Sequence, residues 1–315
     1  MKATRRALLL APLATPARAQ DRPMRIVVPY PPGGASDLLG RLLAEILSVR
    51  LRQAVAVENL PGAATVVGAR AVASAPPDGG TLLLATSTTL AINPALHRAL
   101  PYDPVRDFAA VALVAAVPFV LVVREGGPRD LAGFLAAARA RPGAIAFGTA
   151  GPGSPQHLGM EMLASMAGVQ MSPVPYRGSA PALVDLVGGR LQAMVVDLAP
   201  AQPHLQSGAL RALAVTPAAR IPALPEVPTM AEAGLPGYAM TAWQGLVAPA
   251  GTPPAVVARI AEETLAGIAA PEAQRRLAAL TLEPQPMGPD AFAGFIRAEI
   301  ARWAPIVKAS GATIE

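Results

Sequence analysis

The chain contains no cysteine, and that absence removes disulfides, thiolate metal sites and cysteine nucleophiles. Histidine is almost as scarce. His97, His157 and His204 lie 60 and 47 residues apart, a spacing that matches no local metal motif, so structural roles or a single ligand contact are expected rather than a metal site; no cofactor is expected. Long apolar runs are missing too: the apolar stretch at residues 111–123 has 13 residues and contains Pro118. Crossing a bilayer takes about 20, so this stretch reads as a buried strand region. Basic clusters are also absent, with no run longer than Arg275-Arg276 and no RNA or DNA motif, which argues against a nucleic-acid partner. Aromatic residues amount to only 4%, against 52% apolar residues dominated by alanine, as in a compact globular protein with closely packed helices.

With 315 residues the chain has length for about two domains. Residues 1–19 differ from the rest. Lys2, Arg5 and Arg6 form a positive start, residues 7–14 a short apolar run, and Ala17-Arg18-Ala19 an A-x-A cleavage site. The expectation is an export signal cut after Ala19, by the general secretory or the twin-arginine route, and a periplasmic protein. Cleavage removes four cations and no acid, so net charge falls from +5 to +1.

Beyond residue 20, apolar runs alternate with helical patterns. Strands are predicted at residues 25–29, 54–58, 81–85, 119–123, 145–148, 193–197 and 212–216, with helices at 37–51, 64–73, 131–140, 155–167, 180–188, 254–269, 271–280 and 289–310. This order points to an α/β fold with parallel strands, whose ligands gather at the strands' carboxyl ends. Apolar stretches at 114–123 and 243–249 read as two crossings between lobes. They divide the chain into lobe I, residues 20–117 plus 246–315, and lobe II, residues 118–245, with a cleft between them.

Two segments, residues 25–41 and 141–160, repeat one logic: a short strand, a Gly/Pro-rich turn, then a helix. Unpaired amides at the positive end of a helix dipole suit a carboxylate or phosphate. In the first, Gly33 and Gly34 permit close approach of a ligand oxygen. Ser36 or Asp37 caps the helix, and Asp37 orders the loop or a bridging water. In the second, Thr149, Ala150 and Gly153 offer amides, Ser154 is a natural cap before Pro155, and His157 follows on the helix. Ser87 and Thr88, after a predicted strand, supply uncharged hydroxyls or a helix cap.

The second turn resembles a phosphate-binding loop without its lysine; after residue 19 the one lysine is Lys308, which disfavours nucleotide hydrolysis. Ser154 and His157 also suggest a hydrolase dyad, but neither a G-x-S-x-G elbow nor an orienting acid accompanies them. No enzymatic activity is expected.

Taken together, PYPPGGASD (29–37), VENLPG (57–62), PDGGTL (77–82), PYDPVRD (101–107), GTAGPGSPQHL (148–158), VPYRG (174–178) and VPTMAEAGLPG (227–237) resemble the receptors of tripartite tricarboxylate transporters, the Bug or TctC family. The likeness covers nearly the whole chain beyond the signal. It implies a type II, Venus-flytrap periplasmic binding protein of two α/β lobes, monomeric, that captures a small organic anion such as a di- or tricarboxylate. The anion would be handed to membrane permease subunits, or sensed through a membrane kinase instead. The resemblance also favours a cleft-facing Asp197 over a solvated strand end. Tyr30 is either cleft wall or packed core, and Tyr176 and His97 are structural. Two departures stand out: Ala64-Thr65-Val66-Val67 where the family usually has glycines, and Gly80 where an aromatic is common.

Overall fold

The computed structural model describes residues 23–314, so the expected export signal lies outside the described residues. Strand β1 (Met24–Val28) leads into α1 (Ala35–Leu51), β2 (Val55–Asn59), a 3-10 turn (Ala63–Thr65), α2 (Val66–Ala73) and β3 (Thr81–Thr86). A π-turn (Thr88–Ile92) and the short α3 (Asn93–Leu96) precede β4 (Phe108–Arg124). Then come α4 (Leu131–Ala140), β5 (Ala146–Thr149), α5 (Pro155–Ala167), β6 (Ser172–Pro175) and α6 (Ser179–Val187). Strand β7 (Ala193–Asp197), α7 (Leu198–Gln206) and β8 (Leu210–Val215) complete the second half. The chain returns through β9 (Thr241–Pro249), α8 (Pro254–Ile268), α9 (Pro271–Ala279), β10 (Glu283–Met287) and α10 (Pro289–Ser310).

The apolar stretch read as strand plus crossing is one continuous strand of 17 residues that serves two sheets. Up to Pro118 it pairs antiparallel with β9, which itself joins β3, β1 and β2; β10 adds to the same half. From Phe119 onward it pairs with β7 and β8, and β7 carries β5 and β6 in parallel. This is a two-lobed periplasmic-binding-protein fold, with Pro118 at the change of partner. Because Pro118 faces Thr241 and Trp243 faces Ala116, residues 241–245 pair within the first sheet, whereas the sequence reading grouped them with the second lobe. The reason is that pairing with β4 starts before the apolar run does.

Thr216 ties the two crossings together. It is fully buried, its amide donates to Phe119 O at 3.0 Å, and its hydroxyl reaches Met240 O at 2.7 Å. Beside it, buried Glu299 of α10 accepts from the indoles of Trp243 (3.0 Å) and Trp303 (3.1 Å). Burying two indoles with their N–H groups satisfied stabilises the hinge region through apolar area without stranding a donor. One apolar cluster spans this hinge, a second lies between the first sheet and α1 and α8, and a third packs α6 and α7 on the second sheet.

Helix α7 is not among the helices expected from the sequence, and it carries two prolines, Pro200 and Pro203. Pro200 falls in the first turn, where a missing N–H costs nothing, although Pro203 lies inside the helix.

Candidate functional site

At the carboxyl ends of the parallel strands β1 and β3, Tyr30 OH meets Thr86 Oγ1 at 3.3 Å, with the Thr88 hydroxyl also within bonding reach. At the carboxyl ends of β5 and β7 lie the second turn and Asp197. The two groups lie near enough across the seam for the charge of one to act on the other. Burial raises the Tyr30 phenol above its ordinary value, the Thr86 and Thr88 hydrogen bonds oppose that, and the Asp197 carboxylate of the other lobe adds to it. A close approach crosses the same gap: a Cβ placed on Gly153 would sit 2.5 Å from both methyl carbons of Leu96, at the end of α3. Two surface hollows, about 400 Å³ beside Tyr102 and about 580 Å³ between α5 and α10, contain none of the twelve predicted residues. The candidate site is therefore this seam.

The first turn opens onto solvent. Gly33 has φ +90°, and a Cβ added at Gly33 or Gly34 would meet nothing within 4 Å. Helix α1 is capped by Gly34 without a side-chain cap bond, so neither Ser36 nor Asp37 is the N-cap, contrary to the sequence expectation. Asp37 sits one turn in, where the helix geometry aims its carboxylate back at the loop. It accepts from Gly33 N, Arg41 Nε and Asn59 Nδ2, each at 3.0 Å. Burial works against that charge, but the three bonds outweigh it and hold the carboxyl below its usual range. The amides of residues 34–36, at the start of α1, have no intrahelical acceptor.

The second turn is more self-contained than its sequence suggests. Gly151 N donates to Thr149 Oγ1 (3.2 Å), Gly153 N to His157 Nδ1 (3.2 Å), Ser154 N to Gly151 O (3.2 Å) and His157 N to Ser154 Oγ (3.2 Å). Both expected hydroxyls thus accept bonds from the turn itself, which leaves Ala150 and Gln156 as the amides outside its internal bonds. His157 is buried behind the loop, stacked on Phe147 at 6.4 Å, with Nε2 3.6 Å from Glu161. It holds the turn rather than facing the seam. Neither ring nitrogen bonds Ser154 Oγ, so the dyad required of a hydrolase is not formed.

Ser87 and Thr88 are buried at the start of the π-turn, and Ser87 Oγ has no partner among the described residues. Behind them Thr89 Oγ1 donates to Thr65 Oγ1 (3.0 Å) and Asn93 Nδ2 to Ala64 O (2.8 Å). Ala63, Ala64 and Thr65 all adopt positive φ (44°, 50° and 77°), and the last two belong to the stretch where the resemblance leads one to expect glycines. Asp197 caps α7 by position but makes no capping bond. Its carboxylate instead accepts from Gln156 Nε2 (2.7 Å) and Ser179 Oγ (3.4 Å). Burial pushes its pKa up to about 6, against the pull of those two bonds. The sequence reading missed Gln156, Ser179, Asn59 and Leu96. The first and third lie inside quoted motifs, but nothing in their spacing says that they reach across to another element.

Comparison with known proteins decides the family. Residues 39–312 match the model of the tripartite tricarboxylate transporter family receptor, TctC. The chain belongs to that family. Among its relatives, protein BugT of Bordetella pertussis is 37% identical over 310 residues, covering 97% of this chain and 95% of that protein. Among solved structures, R. palustris Rpa4515 with adipate has a TM-score of 0.84 at 37% identity, covering 93% of this chain and 99% of that one. MatC from Rhodopseudomonas palustris with bound malate has a TM-score of 0.79 at 34% identity, covering 91% and 99%. This TctC-family chain is a periplasmic-type solute receptor and not an enzyme. No helix among the described residues is long and apolar enough to cross a membrane.

Proposed function

We propose that the protein is exported, cut after Ala19, and captures a small carboxylate in the seam between its lobes for delivery to a tripartite permease. One observation supports this reading: Tyr30, hydrogen-bonded to Thr86 at the end of β3, feels the charge of Asp197 from the other lobe, and the groups beside them are hydroxyls and turn amides rather than cationic side chains. Neutral donors bind an anion without the cost of desolvating a permanent positive charge. The acid would bridge the amides of residues 34–36 to Ala150 and Gln156, with Tyr30, Ser87 and Thr88 as cleft wall. Asp37 and His157 enter as positioning groups behind the two turns, and Thr149, Gly153 and Ser154 as the frame of the second. Closure excludes water and strengthens each bond made. The relatives' adipate and malate are what those proteins hold, and they support the choice of small carboxylates as probes.

Thermal-shift and calorimetric screening of mature protein against mono-, di- and tricarboxylates and amino acids tests the reading. Saturable stabilisation by at least one acid is expected; none from any acid would overturn it.

A further inference from the structure

Asp197 occupies the one position where an acid is ordinarily a helix cap, and it does not cap. Its backbone is extended (φ −55°, ψ 139°) at the start of α7, yet its side chain accepts nothing from the helix. Instead the carboxylate is turned toward α5 and α6, held at Oδ1 by Gln156 and at Oδ2 by Ser179. With the bond from its own backbone amide these make three, which leaves the carboxylate room for a further donor. Among the described residues no cation pairs with it. From the other lobe the Tyr30 phenol, already engaged with Thr86, lies near enough to feel its charge.

The seam is therefore polarised. The two turns and the Thr86–Thr88 segment present donors, while Asp197 is an anionic acceptor with spare capacity and no counter-charge. A ligand that ends in two bare carboxylates would set one of them against this acid. A ligand with a carboxylate at one end and a donor at the other meets complementary groups at both.

On the reading that the seam binds a small carboxylate, we infer that Asp197 selects acids carrying an ammonium or hydroxyl donor beside or beyond the anchored carboxylate, with Gln156 and Ser179 as its positioning residues. Burial without a counter-ion supports this, since it holds a charge poorly solvated until a donor arrives.

The test uses three probes on one carbon skeleton, succinate, malate and aspartate, titrated at pH 8 into the mature protein and into Asp197→Asn. In the parent, aspartate or malate should bind roughly tenfold or more tightly than succinate, the size of one charge-assisted hydrogen bond. Asp197→Asn should erase that preference by weakening the donor-bearing acid while leaving succinate equal or improved. Ser179→Ala, which removes a positioning bond to Asp197 and touches no group assigned to the carboxylate, should reduce the preference without weakening succinate, a split that general damage to the fold would not give. Melting curves without ligand check that each variant is folded. A parent that prefers succinate, or a preference unchanged in Asp197→Asn, overturns the inference while leaving carboxylate capture intact. Failure of every acid to bind the parent overturns both.

Discussion

The two turns share one construction and differ in charge. In each, the third residue of the following helix accepts the amide of the glycine just before the N-cap: Asp37 from Gly33, and His157 from Gly153. In each, that residue also meets a side chain one turn on, Arg41 as an ion pair in the first and Glu161, 3.6 Å from the ring Nε2, in the second. The first turn uses an anion fixed by a cation and presents its glycines to open space. The second uses a neutral imidazole and seats its glycine against Leu96 of the other lobe. The same sequence grammar thus builds an open, solvent-facing turn in one lobe and a contact edge in the other.

The strongest break in this comparison comes from the glycines. Gly153→Ala forces a side chain onto Leu96 at φ +70°, and overpacking plus strain of about 3 kcal/mol should weaken ligand affinity roughly a hundredfold. Gly33→Ala meets open space, so backbone strain alone should cost about 1 kcal/mol, or several-fold. Calorimetry on both variants ranks them, and equal losses would erase the distinction between the turns.

Next in size is Asp37→Ala, which strands Gly33 N, Asn59 and Arg41. Unfolding in urea should show a loss of about 2–3 kcal/mol.

The turns should also separate by pH. The carboxyl of Asp37 is held low, so its contribution is present above about pH 4 and is lost only as pH falls through the lowered folded value. His157 is the reverse in sign of charge: burial lowers its pKa, and only the neutral ring accepts from Gly153. As pH falls below about 6.5 the unfolded chain takes up a proton that the native ring resists, so stability drops. Between pH 7 and 5.5 the Gly153 amide should lose hydrogen-exchange protection while Gly33 keeps its own. The non-titrating His157→Gln should remove that loss.

The smallest effect is expected at the left-handed tripeptide. Ala64 (φ 50°, ψ 48°) has the conformation that glycine adopts without strain. Ala64→Gly, which restores the family's usual residue, should therefore change stability by no more than about 1 kcal/mol, in the stabilising direction. Thr65 should not follow it, because its hydroxyl accepts from Thr89.

Much of this architecture was legible because local chemistry and tertiary role agree. Helices 131–140, 155–167 and 289–310 start and stop where Asp, Ser-Pro and Gly-Pro at their N-termini and apolar spacing place them. Strand β4 was only half read, since Pro118 looks like a break and becomes instead the point where one strand changes partners. The site was legible as a set of turns but not as a direction. Free amides cannot be counted from sequence, because whether Thr149 Oγ1 and His157 Nδ1 turn inward depends on packing against Phe147 and the loop. Likewise nothing local says that Asp197 bonds Gln156 rather than its own helix.

The central claim is that one acid is held between the two lobes. A chain with no native cysteine can be spin-labelled cleanly at two exposed positions, Val67 on α2 and Val184 on α6, each changed to cysteine. Adding an acid that raises the melting temperature should shift the label-to-label distance distribution to shorter values and narrow it. An unchanged distribution at saturating acid would contradict the account.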